Sequence, residues 1–208
     1  MTLALLAGAC GSSGDPSAAA SMPTPLVASG EPTPVGSPPA AAAFWAEAAR
    51  ALSVTERLRV IVVGGTPNEL RYEPRASAAL DGGELHVVCV DRQAYDIDGF
   101  RAKVRPASWA CGSSALVSSF RRTGRPLEAW NSTLPTDDAV QEQVVADGRD
   151  RWRWDYTATS KVLGGLVTTT LLMDAATGRL LSGNRTDPNG SVRWTFNYTQ
   201  IFSPVELP

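Results

Sequence analysis

The last quarter of this 208-residue chain leaves little choice of fold. In RWRWDYTATS (151–160), Trp152, Trp154 and Tyr156 fall on one side of an extended strand and Arg151, Arg153 and Asp155 on the other, because successive strand side chains point to opposite faces. Gly164-Gly165 then makes a turn, LVTTTLLMD (166–174) a strand, and DAATGRL a turn with Gly178 at a positive-φ position. RLLSGNRT is the next strand and DPNG (187–190) the next turn. SVRWTFNYTQIF (191–202) reads as a long last strand, with Val192, Trp194, Phe196 and Tyr198 on one face and Arg193, Thr195, Asn197 and Thr199 on the other. Strands joined by tight turns form an antiparallel meander, and the polar–aromatic alternation predicts one wet and one covered face.

The cover comes from helices. AAAAFWAEAARALSVTERL (40–58) puts Phe44, Trp45, Ala48, Ala49 and Leu52 on one stripe at spacings of three and four, and Pro38-Pro39 forbids an earlier start. RLRVIVV (57–63), LRYEPRAS (70–77), ELHVVCV (84–90) and RQAYDID (92–98) read as strands, with Pro74 marking an edge or a bend. Residues 105–130 are mixed, with a short helix around Leu116, Val117 and Phe120; AVQEQVVADGRD (139–150) is a strand ending in a turn. The fold class is therefore α+β, mainly β: a curved antiparallel sheet wrapped around one or two helices.

Composition narrows the chemistry. With 19 Lys+Arg against 21 Asp+Glu there is no basic excess for nucleic acid. The near-absence of lysine (Lys103 and Lys161) beside abundant Arg and Ala points to a GC-rich genome such as an actinobacterium's. His86 is the sole histidine, read mid-strand on the face of Val88 and Val90, and no Gly-x-Ser-x-Gly elbow accompanies it. CGSS (111–114) reads as a loop, Asp137-Asp138 as a cap, and Gly64-Gly65 lacks the lysine and spacing of a phosphate loop. One histidine and separated cysteines do not assemble a zinc site. No catalytic residue, metal or cofactor is expected.

Leu6, Ala7, Gly8, Ala9 and Cys10 resemble the lipobox of bacterial lipoproteins: an apolar run, two small residues, then cysteine. The resemblance implies that Cys10 is acylated and becomes the new N-terminus, so that the protein is exported and tethered to the outer face of the cytoplasmic membrane. Residues 1–9 then read as a truncated signal peptide, since such leaders open on Lys or Arg and the first basic residue here is Arg50. Residues 10–40, rich in Gly, Ser, Ala, Thr and Pro, form a linker that cannot bury enough surface to order itself. Residues 41–208 form a single domain. With Cys10 committed to lipid, Cys89 and Cys111 are left either as a disulfide, which an exported protein can keep, or as two buried thiols.

LLMDAATGRLLSGNRTDPNGSVRWTFNYTQIFSPVELP (171–208) resembles the end of exported lipoprotein carriers of the LolA/LppX type: a strand ending in an acidic residue, a turn and Gly, a strand, a Gly turn, and a last strand closing on an apolar-Pro-Val motif. Over 57–150 the likeness rests on strand order and on Tyr95 and Trp109. It implies a half-open β-barrel whose concave face, lidded by helices, holds acyl chains of a lipid or glycolipid without chemistry. Trp152, Trp154, Tyr156, Trp194, Phe196 and Tyr198 would line that pocket, where each buried methylene contributes about 0.8 kcal/mol. The rival reading is a surface-tethered interaction or sensor domain whose interior is filled by its own side chains.

Overall fold

The computed structural model describes residues 36–108, 111–126 and 138–208. The lipobox, most of the linker, Trp109 and Asp137 lie outside them.

Helix α1 (Ala41–Ser53) begins two residues after Pro39 and buries Phe44, Trp45, Ala48, Ala51 and Leu52. Ala51 takes the place expected for Ala49, which is exposed. Six strands follow: β1 (Leu58–Val63), β2 (Glu69–Tyr72), β3 (Ala76–Asp81), β4 (Glu84–Val90), β5 (Gln93–Asp98) and β6 (Arg101–Ser108). Helix α2 (Ser113–Thr123) precedes β7 (Asp138–Ala146), β8 (Arg151–Ser160), β9 (Gly165–Asp174), β10 (Leu180–Asp187) and β11 (Gly190–Asn197). All eleven strands join one curved, unclosed antiparallel sheet in the order β6-β5-β4-β3-β2-β1-β11-β10-β9-β8-β7. The two halves meet where β1 pairs with β11, from Arg59 opposite Asn197 to Val63 opposite Arg193. Both helices pack on the inner face.

Four expectations change. Pro74 is neither an edge nor a bend within one strand. It sits in the turn between two interior strands, closed by the Glu73 N–H donating to the Ala76 carbonyl at 2.8 Å. Residues 101–108 are strand β6, in which Arg101, Lys103 and Arg105 alternate with Ala102, Val104 and Pro106. CGSS is only half a loop: Ser113 and Ser114 open α2. The last strand stops at Asn197, whose side-chain oxygen accepts from the N–H groups of Thr199 and Gln200 and turns the chain away.

That turn explains why the outer face is not simply wet. The C-terminal tail crosses it, and Phe202 and Val205 pack on Ala76, Ala78, Leu80, Val88 and Ile97. Strand β3 is thus buried on both faces. Arg57 and Arg71 lie over the Phe202 ring at 5.7 and 5.4 Å. Burial alone would raise the Glu69 carboxyl, but hydrogen bonds from Arg59 and Arg71 hold it below its ordinary value. The stabilisation from this cluster is therefore present at neutral pH and lost as acid protonates Glu69.

His86 also moves. Ala79 pairs with Val87 and Leu80 with Leu85, so His86 is the extra residue of a β-bulge and is exposed, not on one regular face with Val88 and Val90.

Two devices fix α2. Cys111, just before it, is disulfide-bonded to Cys89 on β4, with Cα atoms 5.4 Å apart. At its other end Gly124 caps the helix at φ +66°, where a Cβ would stand 2.8 Å from the Tyr156 ring. Gly124→Ala should cost about 1–2 kcal/mol from the backbone alone, and more from the displaced ring. Urea unfolding of the variant measures it; an unchanged midpoint would contradict this packing.

Candidate functional site

The inner face is built by parity. Strand β8 presents Trp154 and Tyr156 inward, opposite Leu171 and Thr169 of β9. Strand β11 presents Trp194 and Phe196, opposite Val62 and Val60 of β1. Gly183 of β10 lies between Leu171 and Trp194, and a Cβ there would stand 2.4 Å from Leu171 Cδ2, so its bareness gives the neighbouring side chains their room.

The helices close over these rings. Trp45 meets Trp154 edge-on at 5.0 Å between centroids and stacks on Phe120 of α2 at 6.1 Å. Phe120 in turn contacts Trp194 at 5.4 Å and Phe196 at 6.2 Å, and Trp154 contacts Tyr156 at 5.4 Å. Four of the six expected aromatics therefore converge in one cluster. Trp152 and Tyr198 lie at its margin, partly buried. Tyr198 follows the end of β11 and lines an open groove of about 470 Å³ with Val54, Arg57, Arg179 and Ile201. Arg179 lies 5.1 Å over its ring, and burial pushes its hydroxyl pKa well above the ordinary value.

The polar groups of this interior differ sharply. The Trp154 indole N–H donates to Glu142 Oε2 at 3.1 Å. Among the described residues, the indole nitrogens of Trp45 and Trp194 and the Thr169 hydroxyl have no hydrogen-bond partner, although these residues are only 1–2% exposed. A second groove, of about 270 Å³, is lined by Thr66, Pro67, Ala79, Asp81, His86 and Val87. Ala79 and Val87 are inner-face positions, so it opens onto that face at the β1–β2 and β3–β4 turns.

Sequence reasoning missed Arg185. It is 3% exposed on the inner face of β10, donates to the Thr123 carbonyl at 2.8 Å and pairs with Asp187 at 3.5 Å. A cation beneath a helix C-terminus is favourable, yet nothing in RLLSGNRT announces that its arginine turns inward. Phe120 was legible as helix, but not as the ring that joins the two aromatic rows.

Among the described residues, no group of three or more His, Cys, Asp or Glu is placed to hold a metal ion, and no helix is long and apolar enough to cross a membrane.

The class defined by these features is an unclosed antiparallel sheet folded around two helices and one aromatic core. No family model matches the chain, and no curated protein matches it. Among solved structures, the chain is similar to the Mycobacterium tuberculosis lipoprotein LppX at 14% identity, over 80% of this chain and 100% of that one, with a TM-score of 0.35. It is similar to LprF from Mycobacterium bovis at 11% identity, over 81% and 98%, with a TM-score of 0.34.

Proposed function

We propose that this chain is a non-catalytic binding protein for an acyl-bearing amphiphile, tethered to the outer face of the cytoplasmic membrane through lipid on Cys10. The ligand's apolar chain enters between the inner sheet face and the two helices by spreading the aromatic cluster, with Trp152 and Tyr198 at its margins.

One observation carries this reading: the N–H groups of Trp45 and Trp194 and the hydroxyl of Thr169, buried among aromatic rings without a hydrogen-bond partner among the described residues. Each buried polar group without a partner costs about 1–3 kcal/mol. An indole N–H only donates, so the group that relieves it is an acceptor. The ester or amide carbonyls of an acyl lipid supply acceptors on an apolar body. A plain hydrocarbon would leave all three groups unrelieved.

Trp45→Phe with Trp194→Phe removes both donors and keeps aromatic bulk. The account expects binding of a fluorescent acyl ester to weaken roughly three- to tenfold per donor, with little loss of stability. Unchanged affinity for the probe would remove these donors from the site. No binding of the probe by the parent chain would favour the packed interaction domain, for which the mutual contact of the rings is the supporting feature.

The tether has its own test. Cys10→Ala should leave the fold intact and move the protein out of the membrane fraction after a high-salt wash. A variant that resists the wash would contradict lipidation at Cys10.

A further inference from the structure

Cross-strand register fixes the outer face of β7 to β11. Gln141, Thr157, Thr168, Thr186 and Ser191 are successive partners and form one row across the five strands. Two residues along each strand, Gln143, Asp155, Thr170, Asn184 and Arg193 form the next. These positions alternate with the inward Tyr156, Thr169 and Arg185, so all ten side chains point away from the helices. Each is exposed or half-buried. With strands about 4.8 Å apart, a row spans roughly 19 Å. At the β7 end, Gln141, Glu142, Gln143, Asp155 and Thr157 line a shallow depression of about 200 Å³.

Threonine on an exposed strand is ordinary, because β-branched residues suit the pleat. The scarcity of charge is the informative feature. Eight of the ten side chains are neutral hydroxyls or amides. Of the other two, Asp155 is held by its neighbour Arg153 at 3.0 and 3.1 Å, and Arg193 is the only cation. The rest of the sheet is different. Arg59, Glu69 and Arg71 carry charge on β1 and β2, and Asp96, Lys103 and Arg105 on β5 and β6. The C-terminal tail lies over that other half, on β3 to β5.

This face suits few partners. A bilayer needs apolar side chains, nucleic acid needs a basic face, and protein interfaces concentrate aromatic residues and arginine. Hydroxyls and amides both donate and accept, which matches an uncharged partner dense in hydroxyl groups. The hydroxyls are also held in place. Thr170 donates to Asn184 Oδ1, and the Thr186 and Ser191 hydroxyl oxygens are 3.1 Å apart. Threonine has few rotamers to lose, so ordering this face on binding costs little.

We propose that these two rows bind an extended, neutral polysaccharide strand lying across β7 to β11, with the depression at Gln141 and Gln143 taking one of its sugar units. The site is on the face opposite the aromatic cluster and does not depend on acyl binding.

The test is retention of the full chain with Cys10→Ser on columns of immobilised neutral glucan, galactan and mannan, beside a polygalacturonate column. At least one neutral polymer should retain the chain, added salt should leave that retention unchanged because the contact is uncharged, and the polyanion should retain it less. Thr168→Val with Thr186→Val should weaken retention roughly tenfold. Its melting temperature should not change, since both sites are exposed and valine suits a strand. Arg101→Gln with Lys103→Gln, on the other half of the sheet, should bind like the parent. The proposal is overturned if no neutral column retains the parent, if the polyanion retains it equally, or if the valine pair is retained normally. A dimer in sedimentation that Thr186→Lys dissociates would also overturn it, by assigning this face to a second copy of the chain.

Discussion

Replacing Trp45 with alanine lowers the unfolding free energy by about 3–5 kcal/mol, the range for deleting a fully buried large aromatic. For a domain of this size, that corresponds to a fall in Tm of roughly 6–20 °C. Trp45 is only 2% exposed and joins helix α1 to both halves of the interior, through Trp154 on β8 and Phe120 on α2. Its loss opens a void that neither the strand nor the helix can close alone. Trp45→Phe separates packing from polarity: it keeps most of the ring contact and deletes the unpartnered N–H, so it should cost far less than the alanine variant. Calorimetry of the two variants checks both statements. Equal costs for Phe and Ala would contradict the ring packing of Trp45 against Trp154 and Phe120.

Removing the Cys89–Cys111 bond should cost about 3 kcal/mol in the chain-entropy account, since the two residues are 22 positions apart. Cys89→Ala with Cys111→Ser makes the change without burying a hydroxyl at position 89, where the side chain is 1% exposed. Other contacts still hold the start of α2: the Ser113 N–H donates to the Glu73 carbonyl at 3.2 Å, and the Gly112 N–H to Ser77 Oγ at 3.4 Å. The C-terminal end of α2 keeps the buried Arg185 and its Gly124 cap. Hydrogen exchange should therefore speed up first at the N-terminal turn of α2, while β8–β11 stay protected until global unfolding. Uniform acceleration across the sheet would show that the bond stabilises the whole domain and not this contact.

The sequence was most readable where one physical rule acted alone. Strands β8, β9 and β11 alternate regularly between glycine and Asp-Pro-Asn-Gly turns, and the inner rows of β8 and β11, Trp154/Tyr156 and Trp194/Phe196, could be read directly. Legibility failed where a second rule intervened. Pro74 interrupts an apolar stretch, yet hydrogen bonding makes it the turn of a hairpin between two central strands. The bulge at His86 shifts side-chain parity within a strand, and a one-residue shift is invisible to a period-two count. Strand β6 carries charge where an inward apolar row would have signalled it. Tyr198 continued the aromatic alternation on paper, but Asn197 ends the strand one residue earlier and leaves the ring at the margin. The outer cover was the least legible of all, because Phe202 reaches its place only through tertiary packing.

The central claim is that the interior accepts an acyl amphiphile, and native mass spectrometry tests it most directly. The chain with Cys10→Ser, exported in an actinobacterial host and purified without detergent, should carry extra mass that extracts into organic solvent and identifies as an acyl lipid. The same preparation from Trp45→Phe/Trp194→Phe should carry less. A bare polypeptide mass in both, with the Cys89–Cys111 bond intact, would contradict the binding account and make the aromatic cluster the core of a packed interaction domain.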